Sequence, residues 1–248
     1  MRTLFYLIVI LCLFSYWDVL IRLRMIVNIR AARRGLDPMS VNISRMIFAT
    51  GRLAVGMRII DESERTVTLP ERFLLVVNHQ SLLDIPLLIL FLKRHRLRFV
   101  GKRELFRHFL LVSVVFRTMR HGCIDRHRDF ANTVRELTRL ARQAEHEGNS
   151  LVVFPEGTRA REGGLLPFHS GAFRTILRTS PLPVVTAALH GGHRAARIRD
   201  IIAGIEGLTY QVKILSVRPA PTTKGEIQCL LTDAQAEIDA AVAKWRKP

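Results

Sequence analysis

The sequence predicts an α/β domain behind an N-terminal apolar helical anchor, and three observations carry that prediction. Short apolar runs at Phe73 to Val77, Arg98 to Val100, Leu151 to Phe154, Val184 to Leu189 and Gln211 to Val217 alternate with helical patterns, as in a sheet flanked by helices. Leu4 to Trp17 is almost wholly apolar. At 248 residues the chain has ample length to bury a core, and one large domain plus an appendage fits it better than two small domains.

The appendage comes first. Apolar character continues past Asp18 through Val19, Leu20 and Ile21, a length marginal for spanning a bilayer. Only Arg2 precedes the run and no small-x-small cleavage site follows it, so a retained anchor is expected rather than a cleaved signal. Arg22, Arg24, Arg30, Arg33 and Arg34 follow instead. By the positive-inside rule they keep the rest of the chain in the cytoplasm, at the inner membrane, whether the segment spans or lies in the interface. A buried N-terminal helix of the core is the alternative. Gly35 to Pro38 are expected to break the pattern before a second helix resumes over Ile43 to Met57. The expected division is therefore 1–57, membrane-associated helices, and 58–248, the α/β domain.

Asn78 to Asp84 sits between the strand Phe73 to Val77 and a helix expected over Ile85 to Leu92, with Ser81 as its cap. His79 then lies at a strand exit, and Asp84, in the first helical turn, can fold back onto one imidazole nitrogen. The other nitrogen is left as a base able to take a proton from a hydroxyl and return it to a leaving group. Taken alone, a histidine and an aspartate five apart are read as well as a capping histidine and a favourable charge at a helix start.

The strand Arg98 to Val100 runs into Gly101-Lys102-Arg103-Glu104-Leu105 and an expected apolar helix, Leu105 to Val115. Lys102 and Arg103 can clamp phosphate or stabilise an oxyanion, or simply form a solvated charge cluster. Asp129 to Glu147 is the clearest helix: Phe130, Val134, Leu137, Ala141 and Ala144 recur at helical spacing, and Gly148-Asn149 stops it. The strand Leu151 to Phe154 leads into Pro155-Glu156-Gly157-Thr158-Arg159. This turn collects a carboxylate, a hydroxyl and a guanidinium whose planar fork matches a phosphate. Glu156 can accept from substrate hydroxyls or hold the arginine; an ordinary turn with a surface ion pair is the alternative. A last helix is expected over Asp233 to Trp245, ending in Lys244, Arg246 and Lys247.

A formal net charge of +17 calls for an anionic partner. Abundant aliphatic residues, scarce Tyr and Trp, and the lack of zinc-finger spacing or an RNP-type aromatic signature favour an anionic membrane surface over nucleic acid. Cys12, Cys123 and Cys229 form no CxxC pair or disulfide framework, and His190-Gly191-Gly192-His193 has no acidic or thiolate companion at ligand spacing. No metal and no cofactor is expected.

Together the three motifs resemble those of the glycerolipid acyltransferases, specifically the lysophosphatidic acid acyltransferase family. Asn78-His79 with Asp84 matches the family's NHxxxxD block, Gly101 to Leu105 its second block and Phe154 to Arg159 its third, in order and spacing over roughly residues 55 to 190. The resemblance implies a mixed central sheet flanked by helices. It also implies transfer of a fatty acyl group from a thioester, on coenzyme A or acyl carrier protein, to a lysophospholipid hydroxyl, with 1-acylglycerol-3-phosphate as acceptor and phosphatidic acid as product. By similarity His79 is the general base and Asp84 its orienting partner, with Lys102, Arg103, Glu156, Gly157, Thr158 and Arg159 binding the acceptor. Two positions depart from the family pattern. Pro183-Val184-Val185-Thr186 keeps one proline of the usual two, which is expected to loosen an acyl or donor contact. Phe168-His169-Ser170-Gly171 lacks the lysine that commonly follows the third motif, and if that lysine helps hold phosphate, an acceptor other than lysophosphatidate is implied. The alternatives are therefore an acyltransferase using another lysolipid, such as a lyso-ornithine lipid, and a basic membrane- or lipid-binding protein without catalysis.

Overall fold

The computed structural model describes residues 1–64, 66–103, 110–124 and 130–246. Glu104, Leu105, Asp129 and Lys247, all used in the sequence reading, lie outside the described residues.

The chain opens with two long helices, α1 (Arg2–Val27) and α2 (Ile29–Val55). Asn28 between them is extended, and its side chain accepts from the Ala31 N–H, capping α2. α1 is long and apolar enough to cross a membrane by length and composition. Leu4, Phe5, Ile8, Leu11, Val19 and Leu23 are exposed along it, while Tyr6, Asp18 and Ile21 are buried. The expected break at Gly35 to Pro38 does not occur: α2 runs through Pro38. Tertiary packing outweighs the local cost here. Leu36 and Met39 are buried against Ile21 of α1, and Asp37 pairs with Arg98 at 2.7 Å.

The α/β part holds a seven-stranded sheet, order β1-β7-β6-β2-β5-β3-β4. Its strands are β1 (Arg58–Asp61), β2 (Leu74–Val77), β3 (Leu97–Lys102), β4 (Gly122–Ile124), β5 (Ser150–Val153), β6 (Val184–His190) and β7 (Thr209–Arg218). Every neighbouring pair is parallel except β6 with β7, so the sheet is mixed, as expected. The expected strands correspond to β2, β3, β5, β6 and β7, whereas β1 and β4 were not anticipated. β1 is exposed at all four positions and β4 has three residues, and neither shape leaves an apolar signature.

The helices are α3 (Asp84–Phe91), α4 (Val112–Thr118), α5 (Phe130–Glu147), α6 (Ser170–Thr179), α7 (Ile198–Ala203) and α8 (Lys224–Arg246). Two departures have local causes. Leu111 has φ 62°, a conformation no α-helix passes through, so α4 starts at Val112, and residues 105–109 of the helix expected over Leu105 to Val115 lie outside the described residues. α8 starts at Lys224, not Asp233, because Thr222 and Thr223 exchange hydrogen bonds with Glu226 at its first turn.

The sheet separates two apolar cores. Leu75 and Val77 of β2 face one, with α2 and α3, while Leu74 and Val76 face the other, with α5, α6 and α8. This is the two-residue alternation of a strand covered on both faces.

Candidate active site

The site is built where β2 ends. Asn78, fully buried, turns its amide onto the end of β6: Nδ2 donates to the Leu189 carbonyl and Oδ1 accepts from the Leu189 N–H, both at 2.8 Å. That pair of bonds fixes where the chain leaves the sheet, and His79 is the next residue.

His79 Nδ1 lies 2.8 Å from Asp84 Oδ2. The same oxygen accepts from the Gln80 N–H at 2.7 Å and the Ser81 N–H at 2.8 Å, and Tyr210 Oη donates to Oδ1 at 3.3 Å. Asp84 is fully buried, whereas the His79 side chain is 18% exposed. A buried carboxylate with this many donors stays an acceptor and orients the imidazole with Nδ1 protonated. Nε2 is then the nitrogen left for a substrate. Phe154 stacks on the imidazole, ring centroids 4.2 Å apart, and limits its rotation. Ser81 is not the cap expected of it. Its hydroxyl instead donates to the Ala195 carbonyl at 2.7 Å and accepts from the Leu83 N–H at 3.1 Å, because Asp84 itself takes the N–H groups ahead of α3.

The turn after β5 packs against this loop. Glu156 accepts from the His79 N–H at 2.6 Å and from the Leu166 N–H at 2.9 Å, and the Ala160 N–H donates to the His79 carbonyl at 2.7 Å. Burial pushes the Glu156 carboxyl up to about 7, against the opposing pull of those two N–H groups. Both its oxygens are thus engaged by main chain, and it fastens two loops together instead of reaching outward. Arg159, half-buried, donates through Nη1 to the Ala196 carbonyl. Burial and the nearby Arg161 lower its pKa from the ordinary arginine value.

His79 opens on a cavity of about 1200 Å³. Leu7, Ile10, Leu11 and Phe14 of α1, Ile43 and Ile47 of α2, and Ile85 and Ile89 of α3 give it apolar walls, and Lys102, Gly157, Thr158 and Arg159 line it as well. Of the residues singled out from sequence, the cavity therefore gathers His79, Lys102, Gly157, Thr158 and Arg159. Asp84 stands behind His79, and Arg103 and Glu156 are not among the lining residues. Lys102 is exposed at the end of β3, free of the sheet's interior.

Both motif departures fall away from this wall. His169 and Gly171 are exposed and do not line the cavity, and Thr186 is fully buried in β6 between its neighbours Val76 and Ser216. The loosened acyl contact expected at Thr186 is therefore not found, since its side chain belongs to the sheet's core. Nor does the missing lysine at His169 remove a cation from the cavity. Sequence reasoning does not assign roles to Asn78, Gln80 or Tyr210, although all three tie the His79 loop down. Gln80 does so by donating to the Gly163 carbonyl at 3.2 Å. Among the described residues no group of three or more His, Cys, Asp or Glu is placed to hold a metal.

Comparison with known proteins places this geometry in context. A family model described as acyltransferase matches residues 58–190. The chain is 31% identical over 162 residues to the 1-acyl-sn-glycerol-3-phosphate acyltransferase of Cocos nucifera, covering 65% of this chain and 47% of that one. To the enzyme of the same description from Limnanthes douglasii it is 30% identical over 174 residues, 70% of this chain and 54% of the relative. The chain thus spans about half the length of these curated relatives. The crystal structure of the 1-acyl-sn-glycerophosphate (LPA) acyltransferase PlsC from Thermotoga maritima superposes with a TM-score of 0.76 at 21% identity, covering 100% of this chain and 95% of that one. That likeness is one of fold.

Proposed function

The chain belongs to the acyltransferase family, and from that premise we propose that it transfers a fatty acyl group from an acyl thioester to the free hydroxyl of a lysophospholipid, 1-acylglycerol-3-phosphate, to give phosphatidic acid. The observation that carries this reading is the His79–Asp84 pair, 2.8 Å apart, with His79 on the wall of a cavity that has apolar sides and a guanidinium at Arg159. Acyl chains and a phosphate are the two things such a lining accommodates.

In the reaction, His79 Nε2 takes the proton of the acceptor hydroxyl as its oxygen attacks the thioester carbonyl. The tetrahedral intermediate collapses by breaking the C–S bond, and the imidazolium returns its proton to the departing thiolate. Asp84 holds the Nδ1 tautomer and stabilises the imidazolium formed on the way. No serine or cysteine nucleophile is required. Lys102 serves the oxyanion or the headgroup and Arg159 the phosphate. The main-chain bonds of Glu156 support this by keeping the His79 loop and the Arg159 turn in register.

Membrane placement follows from α1. Its exposed apolar face suits a lipid environment, and Arg22, Arg24, Arg30, Arg33 and Arg34, all exposed at the α1–α2 junction, suit an anionic cytoplasmic surface. We place the α/β part, 58–248, on the cytoplasmic side of the inner membrane with 1–57 as its membrane-associated helices.

The test is thiol release from acyl-coenzyme A and acyl carrier protein thioesters by purified protein in mixed micelles, with lysophosphatidate and other lysolipids compared side by side. Release that depends on lysophosphatidate is expected, and His79→Ala should lower it by about a hundredfold to ten thousandfold while the protein stays folded. Release with no acceptor, or unimpaired turnover by His79→Ala, would overturn the proposal.

A further inference from the structure

The Tyr210 ring lies where β7 begins, fully buried, and its hydroxyl reaches Asp84 Oδ1, the carboxylate oxygen that His79 does not use. Phe48 of α2 meets the ring edge-on, centroids 6.3 Å apart. The approach of the hydroxyl has been given room at a cost in backbone freedom. A methyl group at Gly192 would stand 2.6 Å from Tyr210 Oη, and one at Gly191, where φ is +90°, would stand 1.9 Å from the Thr209 carbonyl oxygen. Gly192, which has no place in the chemistry, is thus what the Tyr210 ring and hydroxyl require, while Gly191 makes room for the β7 main chain beside them.

We propose that Tyr210 is a positioning residue for the acyl transfer. By donating to Oδ1 it draws negative charge away from Oδ2 and tempers the basicity that Asp84 confers on His79. The inference rests on the reading of His79 as general base, but its primary test does not need turnover. The charged or titratable groups facing this cluster are His79 beside Asp84, Glu156 and Arg159 from the turn after β5, and Tyr6 from α1. All are unaltered in Tyr210→Phe and Gly192→Ala, the two variants that test the proposal.

The experiment is an NMR titration of the His79 imidazole in detergent micelles, the resonance being assigned by its loss in His79→Ala. Tyr210→Phe keeps the ring and removes only the donor. With that donor gone the carboxylate holds the imidazolium more tightly, so the His79 midpoint should move to higher pH by about 0.5. The acid limb of kcat/KM should move with it, a loss of about threefold at low pH that vanishes on the alkaline side. Gly192→Ala, which displaces the hydroxyl without deleting it, should shift the midpoint in the same direction. A uniform fall in rate at every pH with an unmoved midpoint would mean a merely structural tyrosine. An unmoved midpoint in both folded variants would overturn the proposal. Turnover retained by His79→Ala would refute the base assignment and leave the titration result to judge the Tyr210–Asp84 coupling separately.

Discussion

Replacing Glu156 by glutamine should remove a pH dependence of stability from the protein. Glu156 is 2% exposed. Burial raises its carboxyl from the ordinary 4.5 to about 7, with a further push from the Asp84 charge, while the N–H groups of His79 and Leu166 pull the other way. Because the folded protein holds this proton more tightly than the unfolded chain does, the stabilisation from protonated Glu156 is fully present below pH 4.5 and is lost as the pH rises to about 7. Over a span of about 2.5 pH units at about 1.4 kcal/mol each, the loss is about 3.5 kcal/mol. Glutamine carries no such slope. Its amide would, however, set an N–H against the Leu166 N–H that now meets Oε2 at 2.9 Å. That mismatch costs about 1–3 kcal/mol at every pH. The variant should therefore be the less stable protein at pH 5 and should draw level with or overtake the wild type by pH 8. Denaturant titrations in micelles at pH 5, 6, 7 and 8 measure the difference directly. A constant gap across that range would refute the reasoning, since it would mean that Glu156 is ionised in the fold throughout.

Three further outcomes are expected. Asn78→Ala strands the N–H and carbonyl of Leu189, both now bonded to the amide at 2.8 Å in a fully buried setting. It should cost about 2–4 kcal/mol in a denaturant titration, and an unchanged midpoint would mean that the two groups find other partners. Gly191→Ala, with φ +90° and a methyl 1.9 Å from the Thr209 oxygen, should destabilise by more than about 3 kcal/mol. A thermal melt within a few degrees of wild type would contradict that. Ile47→Trp, on the cavity wall of α2, should lower kcat/KM for the longest accepted acyl thioester by about tenfold or more while sparing short ones. Equal loss at every chain length would place the acyl group elsewhere.

The His79–Asp84 pair was legible because its geometry is local: a strand end, a four-residue gap and the first turn of a helix bring the two side chains together with little help from the rest of the chain. β2 and β5 were legible for a similar reason, since a run covered on both faces, such as Leu74 to Val77, is apolar throughout, and β7 was legible by its alternation, with Tyr210, Val212 and Ile214 buried between partly exposed neighbours. What could not be read is what depends on partners distant in sequence. Pro38 passes inside α2 because Arg98, 61 residues further on than Asp37, holds that turn in place. Glu156 looked like a ligand for substrate because nothing near it in sequence shows that the His79 N–H, 77 residues before it, would take its oxygen. Tyr210 lies 126 residues from Asp84, and the only local trace of the contact is a pair of glycines in another segment.

The one antiparallel pair among the described strands explains how that distant tyrosine gets there. In the parallel part of the sheet, β2 and β5 run in the same direction, so their C-terminal ends lie together and deliver the His79 loop and the Arg159 turn to one edge, where parallel sheets ordinarily carry their sites. A further parallel strand beside β6 would have added only its own C-terminal end there. β7 runs the other way, with Leu189 paired to Val212 and His190 to Gln211. Its first residues, Thr209 and Tyr210, therefore arrive at the edge where β2, β5 and β6 finish. β1, parallel to β7 with Ile59 beside Tyr210, closes the outer side. The reversal of β7 thus does for Asp84 what the strand order does for His79: it brings a side chain from the start of a strand to the far oxygen of a carboxylate whose near oxygen is already engaged.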